Sequence, residues 1–358
     1  MNSPTALAVD IGGTWVRSAL VDHQGNLERV QRESSAALGI NSASSPSVSA
    51  ENMVRYLVNL RDENRDVNNV GISLGAVYQH ETGVAIASAP LWGPGEFNFP
   101  LRYMLASRTK LETNWTIIND VSAAAIGESR LNPLLTDRPF YLFTMSSGSA
   151  VRYVDSHGIP TTERAGRHAH GEIGHIRTSF VYNGQHIHVR CECGKYDHVS
   201  SYLSGNGFAN LLKSDDILRA VSAERPNWMY ASDTERTTAY VAALQVGRPW
   251  ATKLHLAIAD SLLHVITWLT TLDPYAKIVI TGGFWDALQP HLTEAILETA
   301  CTEGPYGIAT DRNWLVERLV PTVSRNPGLV GAGLSALDGV SIATPETKHA
   351  CTRMKGTR

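Results

Sequence analysis

The segment Asp10-Ile11-Gly12-Gly13-Thr14 has the residue types of a phosphate-binding turn. A carboxylate ends an apolar run and two glycines follow, so main-chain N–H groups can approach phosphate oxygens without an obstructing Cβ. Thr14 adds a hydroxyl donor, and Asp10 has the chemistry to hold Mg²⁺, directly or through water. The alternative interpretation is an ordinary turn between two strands, because short glycine motifs are weak signals.

The dipeptide Asn119-Asp120 lies between a predicted strand, 115 to 118, and a predicted helix. A carboxylate at the end of a strand is placed where a general base takes a proton from a substrate hydroxyl. A helix-capping role alone would also explain Asp120.

Cysteines and histidines cluster between positions 171 and 198. Two cysteines and two histidines make an acceptable tetrahedral zinc set. The predicted ligands are His175, Cys191, Cys193 and His198, with His186 and His188 as rival ligands in the intervening loop. The alternative is a histidine-rich surface loop with two buried cysteines.

Two further glycine-rich segments follow apolar runs near the end of the chain. Thr281-Gly282-Gly283 directly follows a predicted strand, 277 to 280, and a second segment spans 328 to 333. Glycine-rich strand ends can accept a flat adenine or a ribose. Two tight turns without a ligand are the alternative.

Apolar periodicity indicates the elements that must position these residues. Short buried runs predict strands at 6–10, 15–22, 70–74, 115–118, 141–145, 150–154 and 277–280. Ser49 is predicted to cap a helix with Met53, Leu57 and Leu60 on one face. Further helices are predicted after Asp120, over 253–272 and over 330–337. Two sets of strands, each followed by helices, indicate two α/β domains with a boundary near residue 120, and active sites favour such interdomain clefts.

The composition excludes several other classes of protein. The chain has 358 residues, 43% hydrophobic and 18% charged, with a net charge of −3. This is a globular composition, and without a basic excess we expect no nucleic-acid partner. No signal peptide is apparent. The apolar stretch 254–272 contains His255, Asp260 and His264, so it predicts a buried core helix and no membrane partner. A reducing, cytoplasmic setting fits the Cys-x-Cys spacing.

Together these segments resemble the ROK family of sugar kinases (repressor, open reading frame, kinase) in an order that runs from Asp10 to about Leu337. The segment 10–14 is similar to the family's first phosphate motif. The family's sugar-side loop is similar to residues 71–77 followed by Thr82-Gly83. Its catalytic segment is similar to Asn119-Asp120 together with 123–125 and Gly127-Glu128. Residues 172–175 match its Glu-x-Gly-His motif, and 273–283 resemble its adenosine side.

The resemblance implies an α/β, actin/hexokinase-like (ribonuclease H-like) fold of two domains around a cleft. The expected domains are 1–120 plus about 325–340, then 121–324 with a zinc-binding loop, then a flexible tail at 341–358. The resemblance also implies an ATP-dependent kinase that uses Mg²⁺ and binds structural Zn²⁺, and we expect it to form a homodimer. The implied catalytic base is Asp120, and the implied substrate ligands are Asn119, Asp120, Glu172 and His175. The implied ATP-binding residues are Asp10, Gly12, Gly13, Thr14, Ser147, Gly148, Gly282 and Gly283.

Departures from the family pattern bear on the acceptor. The second phosphate motif reads Ser146-Ser147-Gly148-Ser149-Ala150, Trp15 replaces a frequent lysine, and the third zinc cysteine is His198. The glutamate expected two residues later, a sugar-hydroxyl ligand in the family, is Ser200, and the loop between His175 and Cys191 is longer than usual.

These departures favour an acceptor that keeps a hexose-like primary hydroxyl but differs from glucose near the anomeric end. The chain is similar to the family's C7-cyclitol kinases, which implies an acceptor such as 2-epi-5-epi-valiolone. The alternatives are a glucose or N-acetylhexosamine kinase, and a catalytically weak sugar sensor. The family also contains repressors with a helix-turn-helix domain before the first phosphate motif. Nine residues precede Asp10, so we expect no such domain.

Overall fold

The computed structural model describes residues 5–41, 45–93, 95–109, 112–160, 171–222, 224–225, 227–303 and 312–339. The predicted flexible tail, 341–358, lies outside the described residues. The chain divides into two compact units. The first contains the described residues up to Asp120 and those from Leu329 to Gly339, and the second contains the described residues from Val121 to Gly328.

The first unit is built on a five-stranded sheet with the order β3-β2-β1-β4-β7. Strands β1, β2 and β3 form an antiparallel meander, whereas β4 and β7 run parallel to β1. A small antiparallel pair, β5 and β6, follows β4. The strands are β1 (Thr5–Ile11), β2 (Trp15–Asp22), β3 (Leu27–Ser34), β4 (Asn69–Leu74), β5 (Val77–Gln79), β6 (Val84–Ala87) and β7 (Asn114–Asn119).

The helices of the first unit are α1 (Pro46–Glu63), α2 (Ala89–Trp92) and α3 (Leu101–Arg108). The predicted cap of α1 was wrong by one turn. Ser45 is the N-cap and its side chain accepts a hydrogen bond from the Val48 amide, while Ser49 is buried inside the first turn. Pro46 explains the earlier start, because proline is favoured at the first helical position. The predicted face of Met53 and its neighbours is buried.

The second unit contains a four-stranded sheet with the order β13-β12-β8-β9, in which β12 is parallel to both neighbours and β9 is antiparallel to β8. Its strands are β8 (Phe140–Met145), β9 (Ser149–Val154), β10 (Val181–Tyr182), β11 (Gln185–His186), β12 (Lys277–Thr281) and β13 (Leu319–Val320). The remaining helices are α4 (Asp120–Leu131), α5 (Val199–Tyr202), α6 (Gly205–Leu211), α7 (Asp215–Ser222), α8 (Asp233–Gln245), α9 (Pro249–Leu272), α10 (Gly283–Glu303), α11 (Arg312–Arg318) and α12 (Pro327–Leu337).

Helix α12 packs on the sheet of the first unit. A Cβ at Gly71, in β4, would collide with the carbonyl group of Ala332, and a Cβ at Gly333 would stand 2.5 Å from the Cβ of Val21. Glycine at both positions therefore allows the helix and the strands to approach closely.

Helix α9 is the central helix of the second unit. By length and composition it could cross a membrane, since an 18-residue stretch of it has a mean hydropathy of 1.2. However, 67% of that stretch is buried inside the structure. That burial is typical of a core helix. The helix ends at Leu272, the end predicted from the sequence, and Asp273 is its C-cap.

Candidate active site and metal centre

Three parallel neighbouring strands of the first unit bring the predicted phosphate and base residues to one edge of the sheet. β1 ends at Ile11, β4 at Leu74 and β7 at Asn119, and their register aligns these three ends. Ligands of open α/β sheets bind outside the carboxyl ends of the strands. This edge is therefore the candidate catalytic edge.

Both carboxylate oxygens of Asp10 have partners. Arg17, its register partner in β2, donates from Nη1 to Oδ2 at 2.9 Å, and the Ser73 hydroxyl donates to Oδ1 at 2.6 Å. These contacts hold the carboxylate at the end of β1. A Mg²⁺ ion in direct contact would compete with them, so the arrangement suits a water-mediated magnesium ligand better.

The turn after β1 is braced from several directions. The Gly12 amide donates to the Trp15 carbonyl at 3.1 Å, and the Gly12 carbonyl accepts from the Ser35 hydroxyl at 2.7 Å. A Cβ at Gly13 would stand 2.6 Å from the Cβ of Pro90. Packing against Pro90 thus requires glycine at position 13, in addition to any contact with phosphate.

Asn119 and Asp120 lie where β7 ends and α4 begins. The Asn119 side chain donates to the Ala76 carbonyl at 3.2 Å, which fixes its orientation. The carboxylate of Asp120 lies beside Gly75, where a Cβ would stand 3.6 Å from Oδ2 and 3.8 Å from the Cα of Gly12. The candidate base and the first phosphate turn are therefore neighbours.

The second unit brings together the second phosphate motif, which follows β8, and the adenosine-side segment, which follows β12. Ser146 and Gly148 form a tight turn between β8 and β9, with the Ser146 amide 2.9 Å from the Gly148 carbonyl. Gly282, at the end of the adjacent strand β12, has φ +112°, and a Cβ there would stand 2.5 Å from the Met145 carbonyl oxygen. A Cβ at Gly148 would meet nothing within 4 Å, so its main chain is open to a ligand.

The Glu172-to-His175 segment is held against strand β9. The Val151 amide donates to the Gly171 carbonyl at 2.8 Å, and a Cβ at Gly174 would collide with the carbonyl of Ser149. Arg152 is 5% exposed, and its Nη2 lies 3.9 Å from Oε1 of Glu172. Gly174 thus permits close packing, and the Arg152 guanidinium lies within ion-pair distance of the Glu172 carboxylate.

The four predicted metal ligands converge. The ligand atoms of His175, Cys191, Cys193 and His198 all lie within 4.8 Å of one another. Cys191 Sγ is 3.7 Å from His175 Nδ1, and Cys193 Sγ is 3.2 Å from His198 Nδ1. Ligands of a tetrahedral zinc ion are about 3.3–3.8 Å apart, given bonds of about 2.0–2.3 Å. The donor set therefore fits zinc, and these two Sγ–Nδ1 separations lie close to that range.

Main-chain hydrogen bonds explain why these ligands meet. The Val199 amide donates to the Ile176 carbonyl at 3.0 Å, which brings the two histidines together. The Cys191 amide donates to the Lys195 carbonyl at 2.8 Å, closing a turn in which Gly194 has φ +87°. Burial lowers the pKa of His198, which favours the neutral, metal-binding ring.

The rival ligands point elsewhere. His188 Nδ1 lies 2.9 Å from Oδ2 of Asp197, a buried carboxylate that also accepts from the Tyr202 hydroxyl at 2.9 Å. His186 is an exposed residue of the β10–β11 hairpin. Neither belongs to the cluster of described His, Cys, Asp and Glu side chains around the two cysteines.

Ser200 occupies the position at which the resemblance predicts a glutamate. Its side chain is 9% exposed, its Oγ accepts a hydrogen bond from the Ser149 amide at 3.2 Å, and it contacts the main chain of Gly174. The hydroxyl is therefore engaged within the protein core.

Sequence reasoning missed two arginines of these sites. Arg17 and Arg152 each lie in a strand at a position facing a predicted carboxylate, and an arginine within an apolar strand was the available signal. Glu128 is fully buried and accepts hydrogen bonds from the amides of Val323 and Ser324 at 3.3 Å. Burial raises the pKa of the Glu128 carboxyl.

Comparisons with known proteins give the relatives of this chain. A model of the ROK family matches residues 6–332. A 2-epi-5-epi-valiolone 7-kinase of Actinoplanes sp. is 33% identical over 340 residues, 92% of this chain and 91% of that protein. A glucokinase of Aeropyrum pernix is 26% identical over 270 residues, 74% of this chain and 73% of that protein.

Solved structures show the fold. A ROK family glucokinase from Streptomyces griseus, in complex with glucose and AMPPNP, matches 94% of this chain and 100% of its own with a TM-score of 0.68 at 19% identity. A ROK hexokinase from Thermus thermophilus matches with a TM-score of 0.65 at 21% identity, over 95% of this chain and 100% of its own. The predicted actin/hexokinase-like α/β class is confirmed.

Proposed function

This chain belongs to the ROK family and is an ATP-dependent carbohydrate kinase, and from that premise we propose that its acceptor is a C7-cyclitol such as 2-epi-5-epi-valiolone. The observation that most supports this acceptor is the 33% identity, over 92% of the chain, to a protein named 2-epi-5-epi-valiolone 7-kinase. The phosphorylated group would be the primary hydroxyl.

The environment of Ser200 supports an acceptor other than glucose. Its hydroxyl accepts a hydrogen bond from the Ser149 amide and lies against Gly174, and its short side chain cannot extend to a substrate hydroxyl as far as a glutamate would. A substrate hydroxyl left without its partner costs about 1–3 kcal/mol. Glucose would therefore be a poorer substrate than an acceptor that lacks the anomeric hydroxyl.

Asp120 is the proposed general base. Its carboxylate accepts the proton of the attacking hydroxyl as that oxygen bonds to the γ-phosphorus, and the bond to the bridging oxygen of ADP breaks. Support comes from its position at the end of β7, next to Gly75 and Gly12. Asn119, Glu172 and His175 are the proposed hydroxyl ligands, and Arg152 orients Glu172.

Two main-chain turns are the proposed phosphate ligands. They are Gly12–Thr14 after β1 and Ser147–Gly148 after β8, with Gly282 and Gly283 on the adenosine side. Asp10 would hold Mg²⁺ through water, and bound Mg²⁺ would offset the charge of the phosphates. Positioning and electrostatic stabilisation supply most of the acceleration in such reactions.

Zinc at His175, Cys191, Cys193 and His198 is proposed as a structural ion. It would fix the His175 end of the Glu172 segment and so the orientation of both hydroxyl ligands. We further propose a cytoplasmic protein without nucleic-acid or membrane partners, as the composition indicates, and a homodimer, as the family resemblance implies.

An acceptor panel tests the proposal. ADP release is measured with 2-epi-5-epi-valiolone, glucose, N-acetylmannosamine and N-acetylglucosamine, and kcat/KM is compared. We expect kcat/KM for the cyclitol to exceed kcat/KM for glucose by about ten- to hundredfold, which corresponds to the cost of one unpaired substrate hydroxyl. A preference for glucose or an amino sugar would replace the cyclitol assignment and leave the kinase assignment intact, whereas no turnover of any acceptor would favour a sugar sensor.

A further inference from the structure

A polar cavity lies in the second unit, away from the phosphate-binding turn between β8 and β9. It has a volume of about 410 Å³, within the size range of small-molecule sites. Lys277 is the first residue of β12 and pairs in register with Phe140, the first residue of β8. The cavity therefore lies at the amino ends of the strands whose carboxyl ends bear Gly148 and Gly282. Its lining residues are Thr136, Asp137, Arg138, Pro139, Tyr275, Lys277 and Arg318.

Three cations converge on this cavity. Arg318 is held in place, since its Nε donates to the Pro274 carbonyl at 3.0 Å and its guanidinium lies 4.9 Å from the ring centre of Trp314. Lys277 donates to the main-chain carbonyl of Glu317. Arg138 is exposed at the mouth. Arg318 and Lys277 are thus held by main-chain partners, whereas Arg138 is an exposed side chain in the turn before β8.

Negative charge around the cavity is insufficient to neutralise them. The carboxylates nearby are Asp137, in the lining, and Glu317, whose side chain is 70% exposed and 3.8 Å from Arg318. Among the residues that the structure describes, no carboxylate lies within ion-pair distance of Arg138 or Lys277. Burial, with the guanidinium groups of Arg318 and Arg138, lowers the pKa of the Lys277 ammonium. The local field is therefore positive.

We propose that this cavity binds the phosphoryl group of a small phosphorylated molecule, at the end of the β8–β12 pair opposite to the end that bears Gly148 and Gly282. Arginine presents a planar fork of donors that matches a phosphate, and lysine adds a point charge. The volume leaves room for a sugar-sized group beside the phosphate. The exposed ring of Tyr275, 80% accessible, provides a face for that group.

Calorimetric titration of the full chain tests the proposal without requiring turnover, so its outcome is independent of the acceptor assignment. The probes are inorganic phosphate, glucose 6-phosphate and glucose. The variants are Arg138→Ala and Lys277→Gln, with Arg65→Ala as a control for an exposed arginine outside the cavity. Gly148→Ala reports on phosphate bound at the nucleotide turn, and thermal melts check folding.

We expect saturable binding of both phosphate-bearing probes, whereas any heat from glucose binding at the acceptor site should be identical in wild type, Arg138→Ala and Lys277→Gln. Arg138→Ala and Lys277→Gln should each weaken binding of the phosphate-bearing probes on the order of tenfold, while Arg65→Ala and Gly148→Ala leave it unchanged. Equal affinities for the two phosphates would identify the phosphoryl group alone as the ligand, and tighter glucose 6-phosphate would identify a sugar phosphate. Unchanged affinity in folded Arg138→Ala, or no saturable binding up to about 10 mM, would overturn the proposal.

Discussion

The hydroxyl of Ser200 accepts a hydrogen bond from the buried main-chain amide of Ser149, at 3.2 Å. Ser149 is the first residue of β9, directly after the second phosphate turn, and its own hydroxyl donates to the Leu203 carbonyl at 2.7 Å. Ser200 thus joins α5 to the start of β9, and its role is internal to the second unit.

Replacing Ser200 with alanine should lower stability without changing acceptor preference. The Ser149 amide would be left unpaired in the core, which costs about 1–3 kcal/mol of unfolding free energy. Ser201→Ala is a matched control, because the Ser201 hydroxyl is buried without a hydrogen-bond partner among the described residues. Denaturant unfolding and the ratio of kcat/KM for cyclitol and glucose measure both effects. A changed ratio in Ser200→Ala would mean that the hydroxyl contacts the acceptor.

Asp120→Asn should retain ATP and acceptor binding but lose catalysis. The amide keeps the shape of the side chain and removes the proton acceptor, which costs on the order of 10²–10⁴ in kcat. Steady-state ADP release measures the effect, and Asp62→Asn, at an exposed position of α1, serves as control. A variant retaining a tenth of the wild-type kcat would exclude Asp120 as the base.

Gly148→Ala should separate nucleotide binding from stability. A Cβ there meets nothing within 4 Å, so the protein should fold with an unchanged melting temperature. If phosphate oxygens approach this turn, the methyl group obstructs them and raises KM for ATP on the order of tenfold, about one charge-assisted hydrogen bond. Gly13→Ala should by contrast lower stability, because its Cβ would stand 2.6 Å from that of Pro90. An unchanged KM for ATP in Gly148→Ala would remove this turn from the nucleotide site.

The His/Cys cluster should bind one zinc ion per chain, measurable by elemental analysis of protein purified without chelator. Cys191→Ser should lose the metal and lower the melting temperature, because metal-binding free energy contributes to folding. Cys301→Ser, at an exposed cysteine of α10, should change neither quantity. Zinc-free wild-type protein with full activity would contradict the prediction.

Glu128 should make stability depend on pH in a specific direction. Burial raises the pKa of its carboxyl above the usual 4.5, so the folded state holds the proton more tightly than the unfolded state. The contribution of the protonated Glu128 carboxyl to the free energy of unfolding is fully present below pH 4.5 and is lost as the pH rises through the folded-state pKa. The stability of wild type relative to Glu128→Gln should therefore increase as the pH falls from neutral towards 4.5.

Denaturant unfolding of both proteins across this range measures that difference. Glu81→Gln, at an exposed position, is the control. The stability difference between wild type and Glu81→Gln should not increase as the pH falls. A pH-independent difference for Glu128→Gln would mean that the carboxyl is not perturbed by burial.

The sequence by itself determined seven of the described strands, the glycine turns and the order of motifs, whereas β3, β5, β6, β10, β11 and β13 were not predicted. Strands β2 and β8 follow from local apolar runs bounded by turn residues, since side-chain alternation and glycine stereochemistry act over a few residues. The positions of Asp10 and Asp120 at strand ends could be predicted for the same reason. The cap of α1 was wrong because Ser45 and Ser49 offer equivalent local signals, and Pro46 decides between them.

Only the tertiary structure decided which side chains meet. His175 and His198 stand beside the two cysteines, and His188 pairs with Asp197, because main-chain bonds between distant segments set those positions. The internal engagement of Ser200 and the convergence of Arg138 with Arg318 likewise depend on contacts between residues far apart in the chain. Such contacts leave no periodic signal, because they arise from how strands and helices pack and not from the conformational preferences of neighbouring residues.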